Sequence, residues 1–448
     1  MPEEELVEVS WSELSLTWHS DDFLDDEFTI AEVTSAIKSL KEGKAAGIDA
    51  WPNQLIKQMT PNLAECMTHL INACYQISWY PPEWQIGKLI PIYKGKGPKS
   101  DPNNYRGISL LPAFHKVISK LIEQRLRLWA EMNDRLPPQQ AGFRKGGSTI
   151  SQALILDTLL SKYAREKGNP LYSIFIDFQK AFDSVSWPLL WQKLGHFGVS
   201  IKCLNFLRSM NSNTQYCVQT SPGMRTEFFP SNIGVKQGCI LSPLLFILFL
   251  ADLPGKILLE NSHSPKLAGW DIHCLLYADD LALFSLTPIG MQRLLLALES
   301  YAEINHLMVN TSKTKAMLFA KAPQRVSKPV LTYRKIPIEW IRSFPYLGIV
   351  MDDTLRWNKH LQARSLKAKT AITTISYTLR KIPELDISNC LHLYTAIVSA
   401  VMLYGTEITH DVDMDIHDNL AAVFLRKACG LPPLSPLLYY YIYSLLHL

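Results

Sequence analysis

The sequence has no Cys-x-x-Cys pair and no cluster of several cysteines and histidines, although it holds eight cysteines in 448 residues. A zinc knuckle is therefore not expected, and scattered thiols suit a reducing, intracellular compartment. The N-terminus lacks the apolar segment that opens a secretory signal. Internal repeats and low-complexity linkers are missing. Apolar runs are short: Leu244 to Ala251 spans eight residues, against the ~20 needed to cross a bilayer. The last stretch, Leu431 to Leu448, carries no acid, lysine or arginine but is broken by Pro432, Pro433 and Pro436. It reads as a truncated or aberrant end rather than a membrane anchor. Lysine and arginine are absent from residues 1–30, which hold ten acidic side chains.

The rest of the chain then carries 45 basic against 31 acidic groups, a net of +14. A basic body suits a polyanionic partner, and a merely solvated basic surface is the competing account. Apolar residues make up 47% and charged residues 19%, an ordinary globular composition. The length suits two or three subdomains.

Local patterns give an α+β order. Thr29 and Glu32 form a capping box, Val33, Ile37 and Leu40 share a helical face, and Gly43 stops that helix. A short helix follows Pro52. Leu171 to Ile176 reads as a buried strand with Asp177 at its end. Ser242-Pro243 opens an apolar helix as cap and first-turn proline. Ile272 to Tyr277 and Leu281 to Ser285 read as strands around a tight turn at Ala278-Asp279-Asp280. Met291 to Leu307 reads as an amphipathic helix and Thr314 to Phe319 as a strand. From Asn358 the pattern is helical to about Leu403. The arrangement is a sheet with helices on one face.

Two carboxylate elements stand out. An acid such as Asp177 at the end of an apolar strand is costly unless hydrated, paired or metal-bound. Adjacent Asp279 and Asp280 repel each other, and a cation relieves that repulsion. Taken alone, an Asp-Asp pair is more often a solvated turn. Phosphoryl transfer needs in-line positioning and charge neutralisation, which two metal ions about 3.5–4 Å apart supply. Asp177 and Asp279 on neighbouring strands could hold such a pair.

These elements sit among others in one order: Leu89-Ile90-Pro91-Ile92-Tyr93-Lys94-Gly95-Lys96, Tyr105-Arg106-Gly107-Ile108-Ser109-Leu110, and Gln140-Ala141-Gly142-Phe143-Arg144. There follow Ile176-Asp177-Phe178-Gln179-Lys180-Ala181-Phe182-Asp183, Gly234-Val235-Lys236-Gln237-Gly238-Cys239-Ile240-Leu241-Ser242-Pro243, and Tyr277-Ala278-Asp279-Asp280. Val309-Asn310-Thr311-Ser312-Lys313-Thr314 and Tyr346-Leu347-Gly348-Ile349 close the series. From about Thr29 to about Ile408 the chain resembles the reverse transcriptases of non-LTR, LINE-type retrotransposons.

That resemblance implies a right-hand polymerase fold with fingers, a palm of antiparallel sheet with helices, and a helical thumb. The implied segments are an acidic leader over 1–28, a helical extension over 29–87, fingers over 88–170 and a palm with primer-grip hairpin over 171–351. A thumb-like helical region over 352–430 and the apolar tail over 431–448 complete them. Asp177, Asp279 and Asp280 match the metal-binding acids, for two Mg²⁺ ions that Mn²⁺ can replace. Phe182 matches the steric gate, where a bulky ring under the sugar leaves no room for a 2′-hydroxyl; without that context it would read as a core phenylalanine. Gln237 matches the glutamine lying against nucleotide and template, with Gly238 allowing close approach.

Arg106 and Lys94 match fingers residues that reach the triphosphate, one bidentate and one a point charge; Lys88 is a further candidate. Lys313 matches a palm lysine near the leaving pyrophosphate, with a surface lysine as the alternative. Tyr346, Leu347 and Gly348 resemble the primer grip. Segment 88–127 is net +7, and Lys116, Lys120, Arg125 and Arg127 within it also fit a solvated helix face. Segment 354–381 holds Arg356, Lys359, Arg364, Lys367, Lys369, Arg380 and Lys381 and no acid, as a helix tracking a duplex backbone would.

The implied activity is RNA-directed DNA polymerisation: dNTPs added to a primer 3′-hydroxyl on an RNA template, with DNA templates copied as well and the work done in the nucleus. Gly107 stands where many relatives have proline, and His306 near a usual glycine. Missing nuclease, RNase H and knuckle modules point to a fragment or decayed copy. A catalytically dead relic that binds nucleic acid is therefore the alternative. An RNA-dependent RNA polymerase is a third reading, against which Phe182 argues, and an intron maturase is a nearer relative still.

Overall fold

The computed structural model describes residues 20–221, 223–258, 263–379, 387–409 and 419–424. Most of the acidic leader, the basic pair Arg380-Lys381 and the apolar tail lie outside the described residues. The helices used below are α1 (Ile30–Ser39), α2 (Pro61–Gln76), α3 (Ala113–Met132), α4 (Thr149–Leu159), α5 (Trp187–Phe197), α6 (Ser242–Phe249), α7 (Pro288–Ile304) and α8 (Asn358–Leu379). The strands are β1 (Ile86–Tyr93), β2 (Tyr105–Leu110), β3 (Leu171–Ile176), β4 (Gln215–Ser221), β5 (Cys274–Tyr277) and β6 (Asp280–Ser285). They continue with β7 (Lys315–Phe319), β8 (Glu339–Ile341), β9 (Ser343–Tyr346) and β10 (Ile349–Asp352).

Contacts divide the chain into two compact units. The first gathers the described residues up to Phe143 with Phe178–Ile257 and Ala297–Val309. The second gathers Arg144–Asp177, Leu258–Leu296 and the described residues from Asn310 on. These units cut across the expected segments 88–170 and 171–351.

In the first unit β1 pairs antiparallel with β2, Lys88 opposite Leu110 through Tyr93 opposite Tyr105. β4 joins the other edge of β1 in parallel. The Thr29–Glu32 capping box is present at α1, whose Val33, Ala36 and Ile37 are buried. Arg125 on α3 is not a solvated face residue: it is 7% exposed and bonded to Glu32 and to the carbonyls of Asp26 and Glu27. Lys120 and Arg127 both pair with Glu123 on their own helix. The apolar run from Leu244 lies in α6, which is buried. Ser242 is its first helical residue rather than its cap, and Leu241 takes the cap position without a side-chain bond. No helix among the described residues is long and apolar enough to cross a membrane.

The second unit is built on a sheet in the order β8-β7-β3-β6-β5. Its pairings are antiparallel except β7 with β8, which run parallel. All six residues of β3 are buried, so both sides of that strand are covered, where the sequence pattern suggested helices on one face. A central strand loses water on both sides, and an unbroken apolar run satisfies that. Leu171 and Phe175 pack with Leu156 and Leu159 of α4, and with Tyr346, Ile349 and Met351 of the β9–β10 hairpin. Beyond α8, the described residues Ile387–Leu393, Tyr394–Ser399 and Ala400–Met402 are helical as well, the middle stretch as a π-helix, in line with the helical pattern expected to about Leu403.

Candidate active site

β3 delivers Asp177 one step past its last sheet pair. Ile176 is opposite Leu281 on β6, and the residue before Leu281 is Asp280, so antiparallel register sets Asp177 against Asp280. β5 and β6 are joined by a two-residue turn, with Tyr277 paired to Asp280. Ala278 at its first position has φ +57°. A side chain there is strained, and such strain persists where surrounding structure fixes the turn. Asp279 occupies the second position, so the adjacent acids leave the turn from different backbone settings.

The backbone of Asp177 is held from β7's side of the sheet. Its N–H donates to Thr314 Oγ1 at 3.3 Å, and its carbonyl accepts from the Asn310 N–H at 2.7 Å. Asn310 also accepts from the Lys313 and Thr314 N–H groups through its carbonyl. That turn brings Lys313 Nζ to 3.4 Å from Asp177 Oδ2. Asp177, Asp280 and Lys313 line a cavity of about 550 Å³ whose far wall is Phe344, Tyr346 and Gly348 of the hairpin.

Burial raises the pKa of Asp280 to about 6, and the charges of Asp279 and Asp177 add to that effect. Part of the Asp280 side chain still reaches solvent. The charges of Asp279 and Asp177 disfavour the ionised form of Asp280, and a bound cation would relieve that. Among the described residues no three His, Cys, Asp or Glu side chains form a metal cage by themselves. Mg²⁺ does not need one, since it takes one or two carboxylates and completes its shell with phosphate and water oxygens. The acids therefore fit a divalent cation.

Leu347 and Gly348 form the two-residue tip of the β9–β10 hairpin, with φ +47° and +82°. Two successive positive φ values mark the turn whose twist matches paired strands. Tyr346 is 3% exposed; burial, then the charge of Asp280, raises its hydroxyl pKa.

Phe182, Gln237, Gly238, Arg106, Lys94 and Lys88 lie in the first unit. The Gln237 carbonyl accepts from the Ser109 N–H at 2.7 Å, and its Nε2 donates to Asp183 Oδ1 at 2.7 Å. Gly238 has φ +112°, and a Cβ there would sit 2.7 Å from the Ser109 carbonyl oxygen. Val235 N–H bonds the Phe182 carbonyl at 2.8 Å. The Phe182 ring stacks on Phe246 at 4.2 Å and meets Phe143 edge-on at 6.1 Å. Arg106 is exposed on β2 opposite Ile92. Lys94 is exposed as well, with Nζ 2.8 Å from the Asn103 carbonyl. Lys88 lies inside β1 and is half-buried.

Sequence reasoning missed Asp183, Ser109, Asn310 and Thr314. Asp183 was visible as the second acid of the Asp177 block; the others offer no signal apart from their neighbours. His306, where a glycine is usual, has φ +53°, the region glycine tolerates without strain. Arg364 is 9% exposed and bonded to Gly348, so it is not free to track a duplex.

Residues 97–351 match the family described as reverse transcriptase (RNA-dependent DNA polymerase). The RNA-directed DNA polymerase from mobile element jockey of Drosophila funebris is 27% identical over 419 residues, covering 91% of this chain and 44% of that protein. Its counterpart in Drosophila melanogaster is 26% identical over 420 residues, covering 90% and 44%. The retrovirus-related Pol polyprotein from type-1 retrotransposable element R2 of Popillia japonica is 25% identical over 406 residues, covering 81% and 55%. The chain thus spans about half the length, or less, of these curated relatives. The chain belongs to the reverse transcriptase (RNA-dependent DNA polymerase) family, and its relatives are polymerases of LINE-type mobile elements.

Proposed function

We propose that this chain adds dNTPs to a primer 3′-hydroxyl, copying an RNA template and also accepting DNA. The observation that supports it most is the register of β3 and β6, which sets Asp177 against Asp280 beside the Ala278-Asp279 turn. Asp177, Asp279 and Asp280 would hold divalent cations, two Mg²⁺ ions or Mn²⁺ in their stead. When bound, these supply charge neutralisation of the transferring phosphoryl group and a more acidic 3′-hydroxyl.

The protein's own groups do the positioning. Arg106 and Lys94 take the triphosphate, one by a fork of donors and one as a point charge. Gln237 lies along the base pair, and Gly238 keeps the backbone clear of it. Phe182 fills the space a 2′-hydroxyl would need. Lys313 neutralises or protonates the departing pyrophosphate. Tyr346, Leu347 and Gly348 hold the primer terminus. Lys367 and Lys369 on α8 attract the duplex backbone without reading sequence. Copying at a chromosomal target assigns this work to the nucleus.

The test is primer extension on poly(rA)/oligo(dT) with Mg²⁺ and dTTP, with Asp279→Ala alongside. Extension that disappears in the variant supports the reading. Duplex binding without extension, in Mn²⁺ as well, would overturn it in favour of a nucleic-acid-binding relic.

A further inference from the structure

The tip of the β9–β10 hairpin is a two-residue turn with no contribution from its own strands to hold Leu347 and Gly348 beyond the closing Tyr346–Ile349 pair. Both of its carbonyls are nevertheless occupied. Arg364 of α8 donates through Nη2 to the Gly348 carbonyl. Tyr404 donates its hydroxyl to the Leu347 carbonyl at 2.8 Å. That proton is then committed, so Thr149 at 2.7 Å is the donor to the Tyr404 oxygen.

The two clamping side chains are themselves braced. The Arg364 guanidinium lies 4.3 Å over the Tyr404 ring. His360, one turn before Arg364 on α8 and 1% exposed, accepts the Val350 N–H at Nδ1 over 3.1 Å. Its Nε2 faces the Tyr404 carbonyl at 3.0 Å and donates to it. Both ring nitrogens are used in opposite senses, which requires the neutral imidazole with the proton on Nε2. Burial pushes the His360 pKa down, the Tyr404 carbonyl opposes this, and Arg364 and Lys367 push it further down. The neutral form is therefore the one present near neutral pH. Two glycines make the arrangement compact: a Cβ on Gly405 would sit 3.0 Å from His360 Nε2, and one on Gly348 would sit 3.3 Å from the Tyr404 ring.

We propose that His360, Arg364 and Tyr404 are positioning residues that lock the Leu347-Gly348 tip in the one backbone setting able to hold a primer terminus. This rests on the reading of the hairpin as the primer-holding element. Each carbonyl already accepts one bond, and the lock turns the N–H edge of the tip toward the primer strand as its donor surface. Loosening the lock lets the tip sample other backbone settings, and primer engagement weakens in proportion.

The test combines steady-state extension with residue-resolved hydrogen exchange on the full chain. Tyr404→Phe keeps the ring against Arg364 and removes only the hydroxyl. Amide exchange over Leu347–Val350 should quicken, and the KM for primer–template should rise about fivefold, the cost of one unmade bond, with the saturated rate and the dNTP KM held within about twofold. His360→Leu should do the same, and His360→Gln, which retains an acceptor and a donor, should recover part of the loss. Unchanged exchange in both Tyr404→Phe and His360→Leu would overturn the lock. Faster exchange with an unchanged primer KM would overturn its role toward the primer and the primer-holding reading of the hairpin, leaving the Asp279 dependence of extension as a separate result.

Discussion

Gln237 and Asp183 are joined side chain to side chain, Nε2 to Oδ1 at 2.7 Å, across 54 residues of sequence. Asp183 is exposed and Gln237 half-buried. The bond therefore does little for stability, since an exposed pair of this kind exchanges protein contacts for water at small net gain. Its effect is on direction: it fixes where the Gln237 amide points while the Ser109 N–H fixes its backbone.

Asp183→Ala should accordingly spare folding and impair nucleotide use. The dNTP KM is expected to rise about fivefold, the equivalent of about 1 kcal/mol, with the primer KM unchanged. Asp183→Asn keeps an acceptor and should behave like wild type. Steady-state extension over a range of dTTP concentrations reads both.

Phe182 has a packing role and a proposed role in sugar selection, which a single alanine would confuse. Its ring is stacked on Phe246 and braced edge-on by Phe143, so its position is set by neighbours. Phe182→Val should raise the ratio of rUTP to dTTP incorporation about tenfold or more and cost about 1–2 kcal/mol of stability. Phe246→Leu leaves the ring in the chain but removes its stacking partner, so discrimination should fall by a smaller factor. If Phe246→Leu changes stability alone, the geometry of the stack has no part in sugar selection.

The acidic cluster predicts a dependence on pH that divalent cations remove. Burial, with Asp279 and Asp177, raises the Asp280 pKa from 3.8 to about 6 in the folded chain. The folded state then holds a proton that the unfolded chain releases. Stability from this group is present below about pH 4 and is lost as pH rises through about 6. The melting temperature without divalent cation should fall between pH 5 and pH 7 on this account. Mg²⁺ or Mn²⁺ should restore more at pH 7 than at pH 5, because at pH 5 it competes with a proton. Asp280→Asn should flatten the pH dependence; calorimetry with and without metal decides the matter.

How much of this was legible beforehand follows from the range of the interactions involved. Leu171 to Ile176 and the turn after Tyr277 are written locally, in an unbroken apolar run and in two strands meeting; the strand stands where the sequence put it, and the turn is one residue shorter because Asp280 opens β6. The hairpin tip is equally local. What the sequence hid is set by partners far along the chain. Seen only as a run of basic residues, α8 suggests a uniform duplex-facing surface, yet Arg364 turns inward because Gly348 and Tyr404 offer it an acceptor and a ring. The parallel pairing of β8 and the cover on both sides of β3 likewise depend on distant segments. Ser242 lost its expected capping position by one residue, within the ordinary slack of helix ends.

Arg125, for which a solvated face was one of two readings, is instead buried, and its setting predicts a stability effect with a pH signature. It donates to both oxygens of Glu32 at 2.8 and 3.0 Å, and to the carbonyls of Asp26 and Glu27. Its guanidinium lies 4.1 Å over the Phe28 ring. Burial pushes the Glu32 pKa up, but bonds from Arg125 and Thr29 outweigh it, leaving the value below the usual 4.5. Stability from that carboxylate is therefore present above about 4.5 and is lost as pH falls through the lower folded value. Arg125→Met fills similar space without donors and strands two carbonyls, at a cost of about 2–3 kcal/mol at pH 7. In urea titrations the gap between variant and wild type should narrow once pH falls below about 4.5. It should not close, because the bonds to the Asp26 and Glu27 carbonyls do not titrate. A gap independent of pH would mean that Glu32 contributes nothing and that the carbonyl bonds and the Phe28 contact carry the whole effect.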